Sequence, residues 1–496
     1  MTTTDHSAEL MKALIAKLYA TVTGDDENIK MPRNKFVTWL LPGLPFKPED
    51  CLYCSKGLIS EDAESTKQRY HQAFVLSRLL DFVPDVSNQF CDASMQQTIF
   101  TTTQDTISSV YGDVLKYSRV VNKELSDKEK AKLEKFRNLL SVTKEKENIV
   151  TGAKEKVTEP GPLTIAYTTF MNNYIDEADA YMNMLIDAQS ATGKDPEAIR
   201  RVAAFANKSK FLRKKMEAAY LAWVSQGYKN EYEQMISYID QVTQMSMVLY
   251  KEDLLNKYKS GLLTSPIDGG GDFYYTTLLP GNFATSPGWT DFSWYTGDYE
   301  SHKDKKTSQW SAGGSASFGL FSVGAEAGGS KVQIAENQKT TNLRCQLKFS
   351  QVPICRPWFE PGFFLMRGWT LDKLWDLNWD KKVSNGAQKP IGRLVAYPIT
   401  ALFVRDVKMT FDENDAQAKY VNSQIKAGGR VGYGPFSVGG SYSRGHEHAD
   451  QHGHWEGGKV EIPGLQLIGF INNIFPKSPN PNPEIKPEEF VGGAQK

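Results

Sequence analysis

SQIKAGGRVGYGPFSVG, residues 423–439, has a near-copy 115 positions earlier: SQWSAGGSASFGLFSVG, residues 308–324. Laid over each other without a gap, ten of the seventeen positions are identical, and Phe318 matches Tyr433 as a like-for-like aromatic. Internal repeats rank above other features because they set the architecture. Each copy places apolar side chains two apart, as strands with one apolar face do. The second copy has Val431 and Tyr433 before Gly434-Pro435, then Phe436 and Val438 after it. The first has Ala316 and Phe318 before Gly319-Leu320, then Phe321 and Val323. A glycine step between two alternating runs reads as a tight turn, so each copy is expected to be a β-hairpin. The residues between the apolar ones are nearly all Gly, Ser or Ala. Such strands bury little area and hold register weakly.

Working outward, the 496 residues split by periodicity. Residues 1–262 read as helical. Met11, Leu14, Ile15 and Leu18 form a short stripe, and helical patterns resume over Glu64–Phe82 and from Gln104 to Ser141. Leu163, Tyr167, Phe170, Tyr174, Tyr181 and Met184 line one seam, and Asp195-Pro196 opens a further helix with an N-cap and a first-turn proline. The Pro-rich stretch through Pro48 reads as irregular, and the Lys/Glu-rich 142–162 as a loop. Ser265 to Gly271 marks a boundary. Beyond it strand signals take over: Leu343, Cys345, Leu347 and Phe349 alternate strictly, as do Val407, Met409 and Phe411, and Leu465 and Leu467 repeat the pattern.

The expected fold is therefore α+β and multidomain: an N-terminal all-α bundle over 1–262, then an antiparallel β-sandwich-like region over 272–475 with an internal duplication. The hairpins lie at about 301–342 and 423–456. Each half holds an opening strand, a Gly-rich hairpin and a closing strand. The Pro-rich tail, 476–496, is expected to build no core.

Composition narrows function. Lys+Arg and Asp+Glu both total 58, which removes a global electrostatic case for nucleic acid. No run approaches the ~18 apolar residues of a spanning helix, and the start has no signal-peptide pattern. The expectation is a chain cytoplasmic as synthesised, meeting any membrane from a soluble state; release would need an unconventional route. Cys51 and Cys54 make one C-x-x-C without a second pair to complete a zinc site. No nucleophile elbow, P-loop or dinucleotide fingerprint occurs, so no enzyme is expected.

Three groups of residues stand out as candidates. The hairpin tips carry Phe318, Leu320 and Phe321, and Tyr433, Pro435 and Phe436, read as exposed aromatics that would partition first into a bilayer. His446, His448, His452 and His454 are four of seven histidines, packed into nine positions. They fit either a Zn²⁺ site, through neutral imidazoles two apart on a strand, or a pH sensor; a mobile surface loop is the plainer alternative. Trp358, Trp369, Trp375 and Trp379 fall within 355–380 and suit a hydrophobic plug between β layers, with a membrane edge as the other reading. The function these imply is non-enzymatic: a membrane-interacting, pore-forming-toxin-like protein that docks or inserts paired hairpins, with lipid or further copies of itself as partner. A self-assembly protein is the alternative, and a ligand-binding β module the third.

Overall fold

The computed structural model describes residues 3–23, 32–86, 97–122, 127–147, 154–190, 196–266, 271–296, 342–375, 382–387, 389–411, 430–444 and 447–493. Short pieces at 321–324 and 333–334 and isolated positions between 419 and 426 are also described. The chain is mixed α and β. It forms two compact units, one joining Met1–Val120 to Lys251–Lys496 and one spanning Val121–Tyr250. This differs from the expected division at 262. The first 120 residues belong with the strands, not with the helices.

The reason is a strand hidden by prolines. Lys35–Phe46 (β1) runs through KFVTWLLPGLPF, and its pairing shifts register between Trp39 and Leu44, where Pro42 falls. Proline lacks a ladder donor, so a strand accommodates it at such an irregularity. In chain order the other strands of the two main sheets begin with β2 (Gln97–Ile99), β3 (Thr277–Leu278), β4 (Thr290–Tyr295), β5 (Phe321–Gly324), β6 (Gln333–Ile334) and β7 (Leu343–Cys355). They continue with β8 (Ala396–Phe411), β9 (Arg430–Tyr433), β10 (Phe436–Arg444), β11 (Glu447–His452), β12 (His454–Glu456), β13 (Lys459–Ile462) and β14 (Leu465–Ile474).

Nine of these make one sheet, built around β2-β1-β14-β8-β7-β4, with β13 and β12 continuing beside the far half of β8 and β3 beside the end of β7. All pairs are antiparallel except β1 with β2. The strict alternation expected at Leu343–Phe349 is present: these four side chains are buried and Arg344 and Gln346 between them are exposed. β14 is different. Eight successive residues from Leu465 are buried, because both faces of this central strand are covered. On one face lie Leu402, Val404, Val407, Met409, Ile468 and Ile471. On the other, Ala401, Phe403, Leu467 and Phe470 pack with helix α2 (Ala63–Leu80) through Ala73, Leu76 and Leu80.

The first face is closed by helix α1 (Thr3–Thr23). Leu10, Met11, Leu14, Ile15, Leu18 and Tyr19 are at most 1% exposed, and Lys12 and Ala16 are also buried. The stripe of four apolar residues thus understates the helix. It is covered nearly all round because it packs with residues of both main sheets in one core. Lys17 Nζ donates to the Ser293 carbonyl of β4 at 2.8 Å, fixing one end.

The tail also departs from expectation. Ser478 is fully buried and donates from Oγ to the Phe364 carbonyl at 3.1 Å. Phe490–Gly492 adds a strand to a small sheet with Ser118–Val121 and Trp369–Leu371. Backbone pairing and Phe490 order a segment whose composition alone could not.

The other unit holds α4 (Asp127–Leu140), α5 (Pro162–Ser190), α6 (Pro196–Ser225) and α7 (Lys229–Met245). The Lys/Glu-rich segment between α4 and α5 is not a plain loop: Ser141–Glu147 and Lys154–Pro160 pair as an antiparallel ribbon. α5 and α6 face each other along aromatic seams, with Tyr174 stacked on Trp223 at 5.7 Å and Tyr167 edge-on to it at 5.3 Å.

Candidate functional site

The second Gly-rich copy folds as a hairpin. β9 and β10 pair with Tyr433 opposite Phe436, leaving a two-residue turn at Gly434-Pro435. Gly434 has φ +56°, the left-handed backbone that a glycine at this turn position supplies and proline cannot. Of the first copy the structure describes β5. It pairs antiparallel with β9, Phe321 opposite Tyr433 through Gly324 opposite Arg430. The two copies therefore lie side by side in a five-stranded sheet of order β6-β5-β9-β10-β11.

The tip of the second copy is not exposed. Tyr433, Phe436 and Val438 are 0% exposed, Pro435 is buried, and Tyr433 meets Phe411 edge-on at 5.1 Å. Three contacts hold the tip down. The Gly43 amide of β1 donates to the Pro435 carbonyl at 3.0 Å, and the Ser437 amide donates to the buried Gln466 side chain of β14 at 2.7 Å. The turn itself lies against α1, so close that a Cβ on Gly434 would sit 2.6 Å from Met11 Sδ. Apolar residues at a tip look alike whether they await lipid or a helix; here they meet a helix. Phe318 and Leu320 lie outside the described residues, and Phe321 is placed by its backbone alone.

The parent strands of the two copies are arranged in a single row. Tyr295 of β4 is opposite Arg344 of β7, Arg344 is opposite Thr410 of β8, and Thr410 is opposite Lys459 of β13. Both Gly-rich excursions leave the sheet from this row. The first runs between Tyr295 and Arg344, the second between Thr410 and Lys459. Counting inward gives a regularity. Twenty-four positions after Tyr295 is Gly319, and twenty-four before Arg344 is Leu320. Twenty-four positions after Thr410 is Gly434, and twenty-four before Lys459 is Pro435. The Gly434-Pro435 turn, and in sequence the matching Gly319-Leu320 step, each fall at the midpoint set by the parent pairing. A third count agrees: twenty-two positions before Arg344 and after Thr410 are Ser322 and Gly432, which are already partners across β5 and β9.

The apolar phase is equally continuous. In the parent strands Trp294, Leu343, Phe411 and Val460 face the α1 core. Counting by twos from them reaches Phe318, Phe321, Tyr433 and Phe436. Counted by twos along the sequence over the nine residues on either side of each glycine step, one set holds Trp310, Phe318, Phe321, Val323, Ile425, Val431, Tyr433, Phe436, Val438 and Tyr442, with Arg444 as its one charged member. The other set holds Ser, Gly, Glu326, Lys426 and Arg430.

The histidines fall in the second excursion. His448 and His452 share β11, opposite Ser443 and Gly439 of β10, and His454 lies in β12 opposite Glu461. His446 is outside the described residues. Of the described histidines, two therefore share one strand and the third opens the next. Among the described residues no group of three or more His, Cys, Asp or Glu is gathered for a metal.

The tryptophans are at a different site from the one expected. Trp358, Trp369 and Trp375 are at most 2% exposed, so none offers a ring face to solvent. Trp358 packs with Tyr111, Tyr258, Tyr274 and Phe359, and Trp369 stacks on Phe363 at 4.7 Å. This is an aromatic cluster involving helix α3 (Ile107–Tyr117) and Tyr258, separate from both β cores. Trp379 lies outside the described residues. Cys51 and Cys54 are free thiols; burial pushes the Cys54 thiol up, and that of Cys345 to about 12, away from thiolate chemistry. An open cleft of about 600 Å³ in the helical unit, lined by Lys130, Glu134 and Arg137 among others, contains none of the candidate residues.

Among the described residues no helix is long and apolar enough to cross a membrane. No family model, no curated protein and no solved structure matches this chain.

Proposed function

We propose that this chain is a non-enzymatic membrane-interacting protein that stores two β-hairpins against its own core and inserts them into lipid, in the manner of a pore-forming toxin. The observation that carries it is the equal spacing of both turns from one row of four strands. An excursion whose turn falls at the midpoint of its parent register can extend those strands as a hairpin without slipping, and slipping by one residue would invert every side chain. Two such excursions of equal arm length, with inner arms already in matching register, would extend together as a four-stranded ribbon. Twenty-four residues per arm reach about 80 Å at ~3.3 Å each. The nine tip-proximal residues, apolar or small on one face except for Arg444 at the far end of one arm, and small or polar on the other, have the length and pattern of a tilted spanning strand.

The duplicated, sandwich-like reading belongs to the same proposal. Each half contributes an opening strand, a Gly-rich excursion and a closing strand, and α1 is the latch between the layers. In an extended second arm the four histidines fall on one face, two or four residues apart, which makes them the proposed trigger. They would answer mild acidification by gaining charge, or take Zn²⁺.

The test is dye release from phosphatidylcholine–phosphatidylserine liposomes at pH 7.4 and 5.5, with and without zinc. Release supports the proposal. A protein that releases nothing under any of these conditions, yet elutes as a large defined particle, favours the self-assembly reading. A charge at Phe436 is a poor probe here, since it would also break the buried core.

A further inference from the structure

The α5–α6 hairpin carries a second regularity, on the sides its seams leave uncovered. The seam of α5 runs through Leu163, Tyr167, Tyr174 and Tyr181, all half-buried, and the three tyrosines meet Trp223, Tyr220 and Phe205 of α6. A residue two positions from a seam residue is turned about 200° from it and faces away from the partner helix. On α5 this places Ile165, Asp176 and Asp179 on the outer edge. On α6, whose seam includes Leu212, Met216, Ala219 and Trp223, it places Lys210, Lys214 and Leu221 there. Ile165 is 56% and Leu221 64% exposed, among the most exposed large apolar side chains of the chain. All four charged residues are exposed. The two edges are of opposite net sign: α5 contains acidic residues and no lysine or arginine, whereas α6 holds seven lysines and arginines against Glu197 and Glu217.

The opposite edges also match in height. Glu177 pairs with Lys215 at 3.4 Å and Arg213 donates to the Tyr181 hydroxyl at 3.1 Å, so the level of Asp176 and Asp179 on α5 is that of Lys210 and Lys214 on α6. By the same register Ile165 and Leu221 are not at one height: Leu221 lies about two turns from the level of Ile165. A neighbour displaced sideways, without sliding along the hairpin, would bring its basic edge onto this acidic edge.

We propose that the occupant of each edge is a second copy of this chain, docked head to tail, the α5 edge of one copy on the α6 edge of the next. The contact is heterologous because the two edges are unlike. It therefore leaves one free edge of each kind at the ends and propagates until it closes in a ring. A helix of this length gives an edge about 40 Å long, enough for an interface of standard size when two helices pack along it. The proposal rests on the helical unit alone and does not require the hairpins to insert.

The test is cysteine cross-linking of the full chain. Positions 179 and 214 face opposite ways on the hairpin, too far apart for a bond within one molecule. Asp179→Cys with Lys214→Cys, oxidised in solution and on phosphatidylcholine–phosphatidylserine liposomes, is expected to give a ladder of three or more chains. Either single variant should stop at dimer. Asp179→Lys should weaken wild-type association, read by light scattering, at least tenfold, and Asp179→Lys with Lys214→Asp should restore it. A double-cysteine ladder that stops at dimer, or none in either setting, overturns the proposal. So does a single reversal without effect on association, or loss of liposome binding by Asp179→Lys in a protein that stays monomeric. A ladder with no dye release would uphold this interface while removing the membrane reading, so the two fail separately.

Discussion

The nine-stranded sheet and the five-stranded sheet share one core yet are held in different ways. β8 and β14 bury Leu402, Phe403, Val404, Leu467 and Phe470 on their two faces. Among the described side chains β9 and β10 offer Val431, Tyr433, Phe436 and Val438 to that core, and their remaining positions are largely Gly and Ser. Fully burying a side chain of this size contributes about 1.5–3 kcal/mol, so the larger sheet is self-sufficient and the smaller leans on α1, Gly43 and Gln466. Under the proposed function, the difference is what would keep strands ready for release: one permanent sheet, and a partner of small residues clamped at its tip.

This contrast can be broken from either side. The largest effect is expected in the permanent sheet. Phe470→Ala should cost about 3–5 kcal/mol and lower the urea midpoint of the whole strand-bearing unit, because the residue is fully buried in the central strand. Next comes the clamp. A Cβ at Gly43 would lie 2.6 Å from the Pro435 carbonyl and 2.8 Å from that of Leu467, both backbone atoms. Gly43→Ala should cost about 1–3 kcal/mol and speed liposome dye release, since β1 must give way on one side. Smaller again is a register change. One alanine inserted after Ala416 lengthens a single arm, and should lower dye release about tenfold while shifting Tm by less than about 2 °C. Unchanged release would show that the midpoint turns are coincidence. The smallest effect is acidification to pH 5.5, expected to raise release a few-fold as the histidines charge, and to do so less when His448 and His452 are replaced by Gln.

Much of the strand-bearing unit was legible in the sequence. The alternation at Leu343–Phe349 and Val407–Phe411 maps directly onto buried and exposed positions, since a one-sided strand needs period two. The Gly434-Pro435 turn was legible too, because few residues suit a positive φ. β1 was not, as Pro42 and Pro45 disguise it, and its partner β14 lies more than 400 residues on. The burial of Tyr433 and Phe436 could not be read either. It depends on Met11, which nothing local connects to residue 434. The equal arms needed both sources: the repeat supplies the turns, and only the strand register supplies the row from which to count.

The central claim is that the second excursion unfolds from a fold-back into one straight arm, and a single cross-link tests it. Ser441 and Asp450 are partners across β10 and β11. In an extended arm they would stand nine residues apart on the same strand, about 30 Å. Replacing both with cysteine should therefore lock the stored state when oxidised. The account predicts no dye release from liposomes by the oxidised variant and recovery to the wild-type level on adding dithiothreitol. Equal release by the oxidised and reduced forms would contradict it, because lipid would then be breached with the fold-back intact.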